Sequence, residues 1–185
     1  SVCALLAAAL ETTGLPVGLY TSPHLVRLNE RFVVDGAPVD DAALDPLLAE
    51  VEAAAEALER AAGAAPTFFE CVTAAAFLHF RRRGVRLAVV ETGMGGRLDA
   101  TNVLNMPVVA SAITPVSLDH TKVLGNELAD IALEKAGILR QSITLILGRQ
   151  EASARKVILR KAERLGCRIW EVEKDLRLTG WTNLN

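Results

Sequence analysis

The sequence predicts an α/β fold, a mostly parallel sheet with helices on both faces. Three observations lead there. Short apolar runs alternate with long Ala/Leu-rich runs, the pattern of strand–helix–strand units. Leu87 to Val90 has no polar alternation, which suits a strand covered on both faces, although so short a run also suits a buried helix segment. Three of the apolar runs end in oxygen or imidazole side chains, as strands of an open α/β sheet end at a ligand crevice.

The elements follow in order. Val2 to Thr13 reads as a helix closed by Gly14, and Pro16 to Tyr20 as a short strand ending in Thr21, Ser22, Pro23 and His24. In VRLNERFVVDGAPVDD, Phe32 to Val34 followed by Asp35-Gly36 indicates a short excursion or hairpin. Arg31 beside Glu30 reads there as an ordinary loop ion pair. Asp40 to Ala62 is a second helix with Gly63 just past its end. A helix from Glu70 to Arg82 buries Phe69, Val72, Ala76 and Phe80, with His79 on the border of that face as a packing or dipole residue. Arg81, Arg82 and Arg83 end it, where cations favour the helix dipole. Val108 to Thr114 is a strand ending shortly before Ser117, Asp119 and His120, and a helix follows. Ile143 to Leu147 and Arg168 to Val172 are later strands joined by a helix near Ala152 to Leu165.

Composition sets outer bounds. With 185 residues and 51% hydrophobic content, the chain is one ordinary domain at most, residues 1–185, with enough apolar side chain for a sizeable core. A net charge of −2 gives no electrostatic case for nucleic acid. Cys3, Cys71 and Cys167 are odd in number and lack metal spacing, so they read as reduced thiols of a cytoplasmic protein. The opening SVCALLAAAL has neither a basic leader nor a span of about 20 apolar residues, so it indicates neither a signal peptide nor a membrane partner.

The segment ETGMGGRLDATN, Glu91 to Asn102, concentrates the chemistry. A strand delivers Glu91 to the crevice rim, and Gly93, Gly95 and Gly96 permit close backbone approach to a ligand. Taken singly, each polar strand end has a structural reading: a solvated Glu, a Ser-Pro turn, a surface His24, an Asp119 cap. Repeated at equivalent ends, a carboxylate, a hydroxyl and an imidazole could hold a hard divalent cation beside phosphate oxygens. On the helix after His120, Leu128, Ile131, Ala132, Ile138 and Leu139 form one stripe with Lys135 in its middle. A lysine there snorkels, or needs a carboxylate, a phosphate or conversion to an anion such as a carbamate.

Four ordered blocks are similar to one family: GLYTSPHLVRLNERFVVDG at 18–36, TFFECVTAAAFLHF at 67–80, VVETGMGGRLDATNV at 89–103 and ITPVSLDHTKVLGNELADIALEKAGILR at 113–140. Together they resemble the folylpolyglutamate synthase and dihydrofolate synthase branch of the Mur ligase superfamily. The resemblance implies a P-loop-like Mur ligase central domain and ATP-dependent amide formation between a pteridine-bearing acid, dihydropteroate or a reduced folate, and the α-amine of L-glutamate. It implies Mg²⁺ and an acyl phosphate, since a carboxylate is a poor electrophile until activated. Carried over by motif, Glu91 resembles the central Mg²⁺ ligand, and Ser22 and His120 resemble ligands of a second Mg²⁺. Lys135 resembles the family's carbamylated lysine. Thr67, Phe69, Asp99 and Asn102 fall on the pterin side. A full-length relative of this kind is expected to be a cytoplasmic monomer.

The chain also departs from the pattern. The family's glycine-rich phosphate loop ends in Gly-Lys-Ser, and Ser1 resembles only its last residue, whose hydroxyl would meet Mg²⁺ and nucleotide phosphate. The loop and the C-terminal domain are expected to be absent, leaving a partial ATP-binding domain incomplete at both ends. Such a piece is expected to bind ATP weakly and not to turn over. Gln141-Ser142 stands where relatives often show Pro-Gly. Two other readings stay open: a cell-wall Mur ligase acting on a UDP-linked acid, which TSPHL and GGRLDATN disfavour, and a non-catalytic nucleotide-binding remnant.

Overall fold

The computed structural model describes residues 1–103 and 108–176. The chain forms two compact units that divide after Gly93. The first contains α1 (Val2–Glu11), β1 (Val17–Tyr20), β2 (Phe32–Val34), β3 (Ala37–Pro38), α2 (Asp41–Ala62), α3 (Phe68–Arg82) and β4 (Leu87–Val90). Its sheet runs β3-β2-β1-β4. β1 and β4 are parallel, with Tyr20 opposite Val90, so both strands end at one edge. β2 and β3 form the expected hairpin around Asp35-Gly36, and Asp35 Oδ1 accepts the Val17 N–H at 2.7 Å, tying the turn to β1.

Strand alternation sorts the side chains onto two helical layers. Val17, Leu19, Leu87 and Val89 meet Cys3, Ala7 and Leu10 of α1. Tyr20, Phe32, Val34 and Val90 meet Val72, Ala75, Ala76 and Phe80 of α3 and Leu44 of α2. Gly18 sits under the Phe80 ring, where an added Cβ would lie 3.0 Å from three ring carbons. The long helices are capped by short polar side chains and, at the end of α2, by the glycine that the sequence indicates. Asp40 Oδ1 accepts the Ala43 N–H at 2.7 Å, Gly63 closes α2 in the left-handed region, and Thr67 with Glu70 forms a capping box for α3.

The second unit contains β5 (Ala110–Ile113), α4 (Thr121–Leu124), α5 (Leu128–Lys135), β6 (Thr144–Leu147), α6 (Ala152–Arg164) and β7 (Arg168–Glu171). β5, β6 and β7 are all parallel, and their core joins Ile113, Leu145 and Leu147 to Ile131, Ala132, Ile158 and Ala162 of α5 and α6. Three of the five strand pairings among the described residues are parallel, the mostly parallel architecture the sequence predicts.

Three expectations need correction. β4 is not covered on both faces along its length: Ala88 is exposed, because β4 is the edge of its sheet and only Val89 is fully enclosed. His79 is not on the border of its helix face; it is buried at 4% exposure, carried inward beside Phe80. The single helix expected after His120 is broken: α4 ends at Gly125, whose φ is 111°, and α5 begins only at Leu128. An added Cβ at Gly125 would lie 2.6 Å from the Asp130 Cβ.

Candidate active site

The common edge of β1 and β4 carries the first group of polar side chains. The ladder continues one step past the strands, with Glu91 N–H donating to the Tyr20 carbonyl at 2.9 Å. That step brings Glu91 beside the next residues of the other strand, and Ser22 N–H donates to Glu91 Oε2 at 3.1 Å. Among the described residues Glu91 Oε1 and Ser22 Oγ have no hydrogen-bond partner, and both residues are half-buried. A carboxylate oxygen and a hydroxyl left open side by side fit a hard cation that keeps several waters. Cys3 is close enough for the Glu91 charge to act on it. Burial first, and Glu91 second, push its thiol above the ordinary range, so it is held as an unreactive thiol.

The loop that follows Ser22 is organised by Glu30, whose carboxylate accepts the backbone N–H groups of Leu25, Val26 and Arg27 at 2.7, 2.9 and 2.8 Å. These bonds hold its carboxyl below the usual range. The expected Glu30–Arg31 ion pair therefore does not form, because Glu30 is taken up by amides. Arg31 turns inward instead: its Nε donates to His24 Nδ1 at 3.0 Å, and its guanidinium carbon stands 5.7 Å from the centroid of the Phe68 ring.

Thr67 and Phe69 both contribute to the start of α3. Thr67 Oγ1 donates to Glu70 Oε2 at 2.7 Å and accepts the Glu70 N–H, and Phe69 packs half-buried with its ring 6.2 Å from that of Tyr20. Phe68, which the sequence reading passed over, is the aromatic among the described residues that offers a face to solvent, at 63% exposure. The helical stripe Phe69, Val72, Ala76, Phe80 already implied this, since it turns Phe69 inward and Phe68 out. Ser1 Oγ accepts the Ala4 N–H at 3.4 Å and so caps α1.

In the second unit the glycine-rich segment is a closely stapled loop. Asp99 is buried; its Oδ2 accepts the Met94 N–H at 2.8 Å, and its Oδ1 accepts the backbone and hydroxyl of Thr101. Asn102 Nδ2 donates to the Arg97 and Gly137 carbonyls, while its Oδ1 accepts from Arg140 Nη2 at 2.7 Å. Arg97 is bound twice to Glu134, through backbone N–H to carbonyl at 2.9 Å and Nε to Oε1 at 2.8 Å. At Gly137 the contact is closer still: an added Cβ would lie 2.3 Å from the Arg97 Cα.

Lys135 lies between these two staples. It is half-buried, with Ile131, Ala132 and Ala136 fully enclosed on the same side, as the apolar stripe indicated. Among the described residues its ammonium makes no hydrogen bond or ion pair. His120 starts α4 with a φ of 50°, and its half-exposed ring has Nε2 3.7 Å from Asp119 Oδ2. Among the described residues no three His, Cys, Asp or Glu side chains cluster as a metal site by themselves. Nor is any helix among them long and apolar enough to cross a membrane.

No protein-family model matches the chain. The folylpolyglutamate synthase of Lacticaseibacillus casei is 42% identical over 182 residues, covering 95% of this chain and 42% of its own length. The chain belongs to the folylpolyglutamate synthase and dihydrofolate synthase family. Bacillus subtilis dihydrofolate synthase/folylpolyglutamate synthase is 38% identical over 165 residues, 89% of this chain and 38% of the relative. Among solved structures, a complex of folylpolyglutamate synthase with AMPPCP and folate superposes with a TM-score of 0.87 at 39% identity, over 97% of this chain and 45% of that one. The chain thus spans about two fifths of the length of the family members it matches. The mixed α/β architecture with parallel strands is that of the family's solved structures.

Proposed function

We propose that the chain carries part of the machinery of an ATP-dependent ligase that joins L-glutamate to dihydropteroate, to a reduced folate, or to both. The observation that supports this most directly is the Ser22–Glu91 pair at the shared edge of β1 and β4, with one carboxylate oxygen and one hydroxyl left open. The names of the family members, and the AMPPCP and folate of the solved complex, favour this acid over a UDP-linked one.

In this reading the γ-phosphoryl group of ATP passes to the acceptor carboxylate, giving ADP and an acyl phosphate. The glutamate amine then attacks the acyl carbon, releasing phosphate and a proton. Mg²⁺, when bound, supplies screening of the phosphoryl charge. Glu91 and Ser22 would hold it, and His120 and Ser1 are proposed as further ligands from the resemblance of their motifs alone. Lys135, half-buried and without a partner among the described residues, supplies either a cation for phosphate or, as a carbamate, an anion for metal. Asp99 and Asn102 act on the acceptor side by shaping the loop, because their polar atoms are already engaged there. Thr67 and Phe69 likewise set the start of α3. The protein acts as a cytoplasmic monomer in this reading.

Titration with Mn²⁺ as a paramagnetic stand-in for Mg²⁺ tests the metal assignment. The 185-residue chain should bind it, and Glu91→Gln should weaken binding about tenfold or more. Unchanged affinity in that variant removes Glu91 from the site. The chain by itself is expected to bind Mg-ATP weakly and to show no turnover. Tight stoichiometric binding in calorimetry would contradict this. In the complete gene product, ATP-dependent incorporation of glutamate into dihydropteroate or tetrahydrofolate, and not into a UDP-muramyl acid, is the expected activity.

A further inference from the structure

Arg31 is the one buried cation among the described residues, at 7% exposure. Burying a guanidinium without a counter-charge is costly, and proteins normally place a carboxylate beside it. Among the described residues none lies within ion-pair distance of Arg31. Its single hydrogen bond among them is the one from Nε to His24 Nδ1. Nη1 and Nη2 are left without partners, yet no side-chain nitrogen or oxygen closed off from solvent goes unpaired among the described residues, so both keep a path to the surface.

Two neighbours give this cation the form of a site. Because His24 accepts at Nδ1, its neutral ring carries the proton on Nε2, which makes it a second donor. The guanidinium packs over Phe68, whose ring is 63% exposed and offers a flat apolar surface. The Glu30 carboxylate, the nearest acid in sequence, is held by three backbone amides and cannot turn to neutralise Arg31. What fits is an anion with planar fork geometry carried beside, and a few bonds away from, an aromatic ring that can lie on Phe68, and Arg matches a carboxylate in that way.

We propose that Arg31, His24 and Phe68 form a carboxylate-binding subsite that takes the non-reacting α-carboxylate of a folate's glutamate, with Phe68 packing the adjoining benzoyl ring. The identity of the ligand rests on the ligase reading above. A pteroate ends at the benzoyl carboxylate and has no such group. The subsite therefore favours folates, the acceptors for chain extension, over pteroates, the acceptors for the first addition.

Calorimetry of the 185-residue chain with folate and with pteroate tests this without any variant: folate should bind about tenfold tighter, the gain of one charge-assisted contact. Equal affinity overturns the subsite and leaves the ligase reading standing. No binding of either at millimolar concentration overturns the subsite and counts against the ligase reading as well. Arg31→Met, checked for folding by circular dichroism, should bring folate down to pteroate, and Arg31→Lys should keep part of the preference. A full preference retained in Arg31→Met overturns the proposal, and if that variant does not fold, a reduced preference in Arg31→Lys supports it while full retention overturns it. Phe68→Ala should weaken both ligands by a similar factor, and unchanged affinity for both overturns the stacking role. Inorganic phosphate is the competing anion source: if it displaces folate as well as free glutamate does, or better, the site is a phosphate site and not the one proposed.

Discussion

At the residue scale, two titratable groups tie structure to pH. Glu30 is held below its ordinary value of 4.5 by the N–H groups of Leu25, Arg27 and Val26. A carboxyl with a depressed folded value contributes its stabilisation in full above 4.5 and loses it as pH falls through the lower folded value. Protection of the Leu25, Val26 and Arg27 amides, measured relative to their intrinsic exchange rates, should therefore fall in acid before that of the rest of the first unit, and Glu30→Ala should produce the same loss of protection at neutral pH. His79 is a second case. Burial first, then the charge of Arg83, push its imidazole below 6.5, against the opposing pull of Asp40. The folded state then binds protons less readily than the unfolded chain, so stability is full above 6.5 and declines as pH falls through the folded value. Thermal melts between pH 7.5 and 5.5 should show that decline, and His79→Gln should flatten it. The sequence placed His79 on a helix border because its wheel position is lateral; the depth of the second layer beneath it is not written in the helix's own period.

At the element scale, the loop from Met94 to Val103 and the segment around Lys135 hold each other through backbone as much as side chains. Gly137→Ala would set a methyl carbon 2.3 Å from the Arg97 Cα, a contact that can be relieved only by moving chain. We expect a loss of about 3 kcal/mol, at the upper end of overpacking costs, in chemical denaturation. Arg140→Ala should be milder, about 1–2 kcal/mol, because it removes a charge-assisted bond to Asn102 without a clash. The glycines of ETGMGGRLDATN were legible as a turn, but Gly137 was not. Its necessity comes from a partner segment about forty residues earlier. The inward place of Lys135 was legible, since a lysine inside an apolar stripe stands out at helical spacing. Arg31 was not, because loop residues carry no period and the adjacent Glu30 offered an easier partner.

On the scale of the whole molecule, the apolar residues fall into separate clusters on either side of Gly93: α1, α2 and α3 serve one sheet, and α5 and α6 serve the other. Ile158→Ala, a full truncation at 0% exposure, should cost about 2–5 kcal/mol. Its effect on amide exchange should concentrate in β5, β6 and β7, with smaller changes in β1 and β4. Uniform loss of protection throughout would mean that the two clusters unfold as one. The α/β alternation, the hairpin and the Gly63 helix end were legible, because strand and helix periods and a closing glycine are local signals, whereas Asp40 and Thr67 were not read as N-caps. The division into two units was not, because no linker composition marks Gly93. Of the candidate site, Ser22 and Glu91 emerge as neighbours by virtue of strand register, which the sequence could suggest only through their equivalent positions after two apolar runs.

The seat of the Phe80 ring on Gly18 has a consequence for how this sequence can change over time. Position 18 lacks a side chain because the ring fills its place, so the two positions are bound to drift as a pair. Gly18→Ala alone should cost about 1–3 kcal/mol, and trimming the ring with Phe80→Leu should return part of it, a coupling that a double-mutant cycle would read as non-additivity. Homologues with alanine at this strand position should then carry a slimmer residue on the helix above.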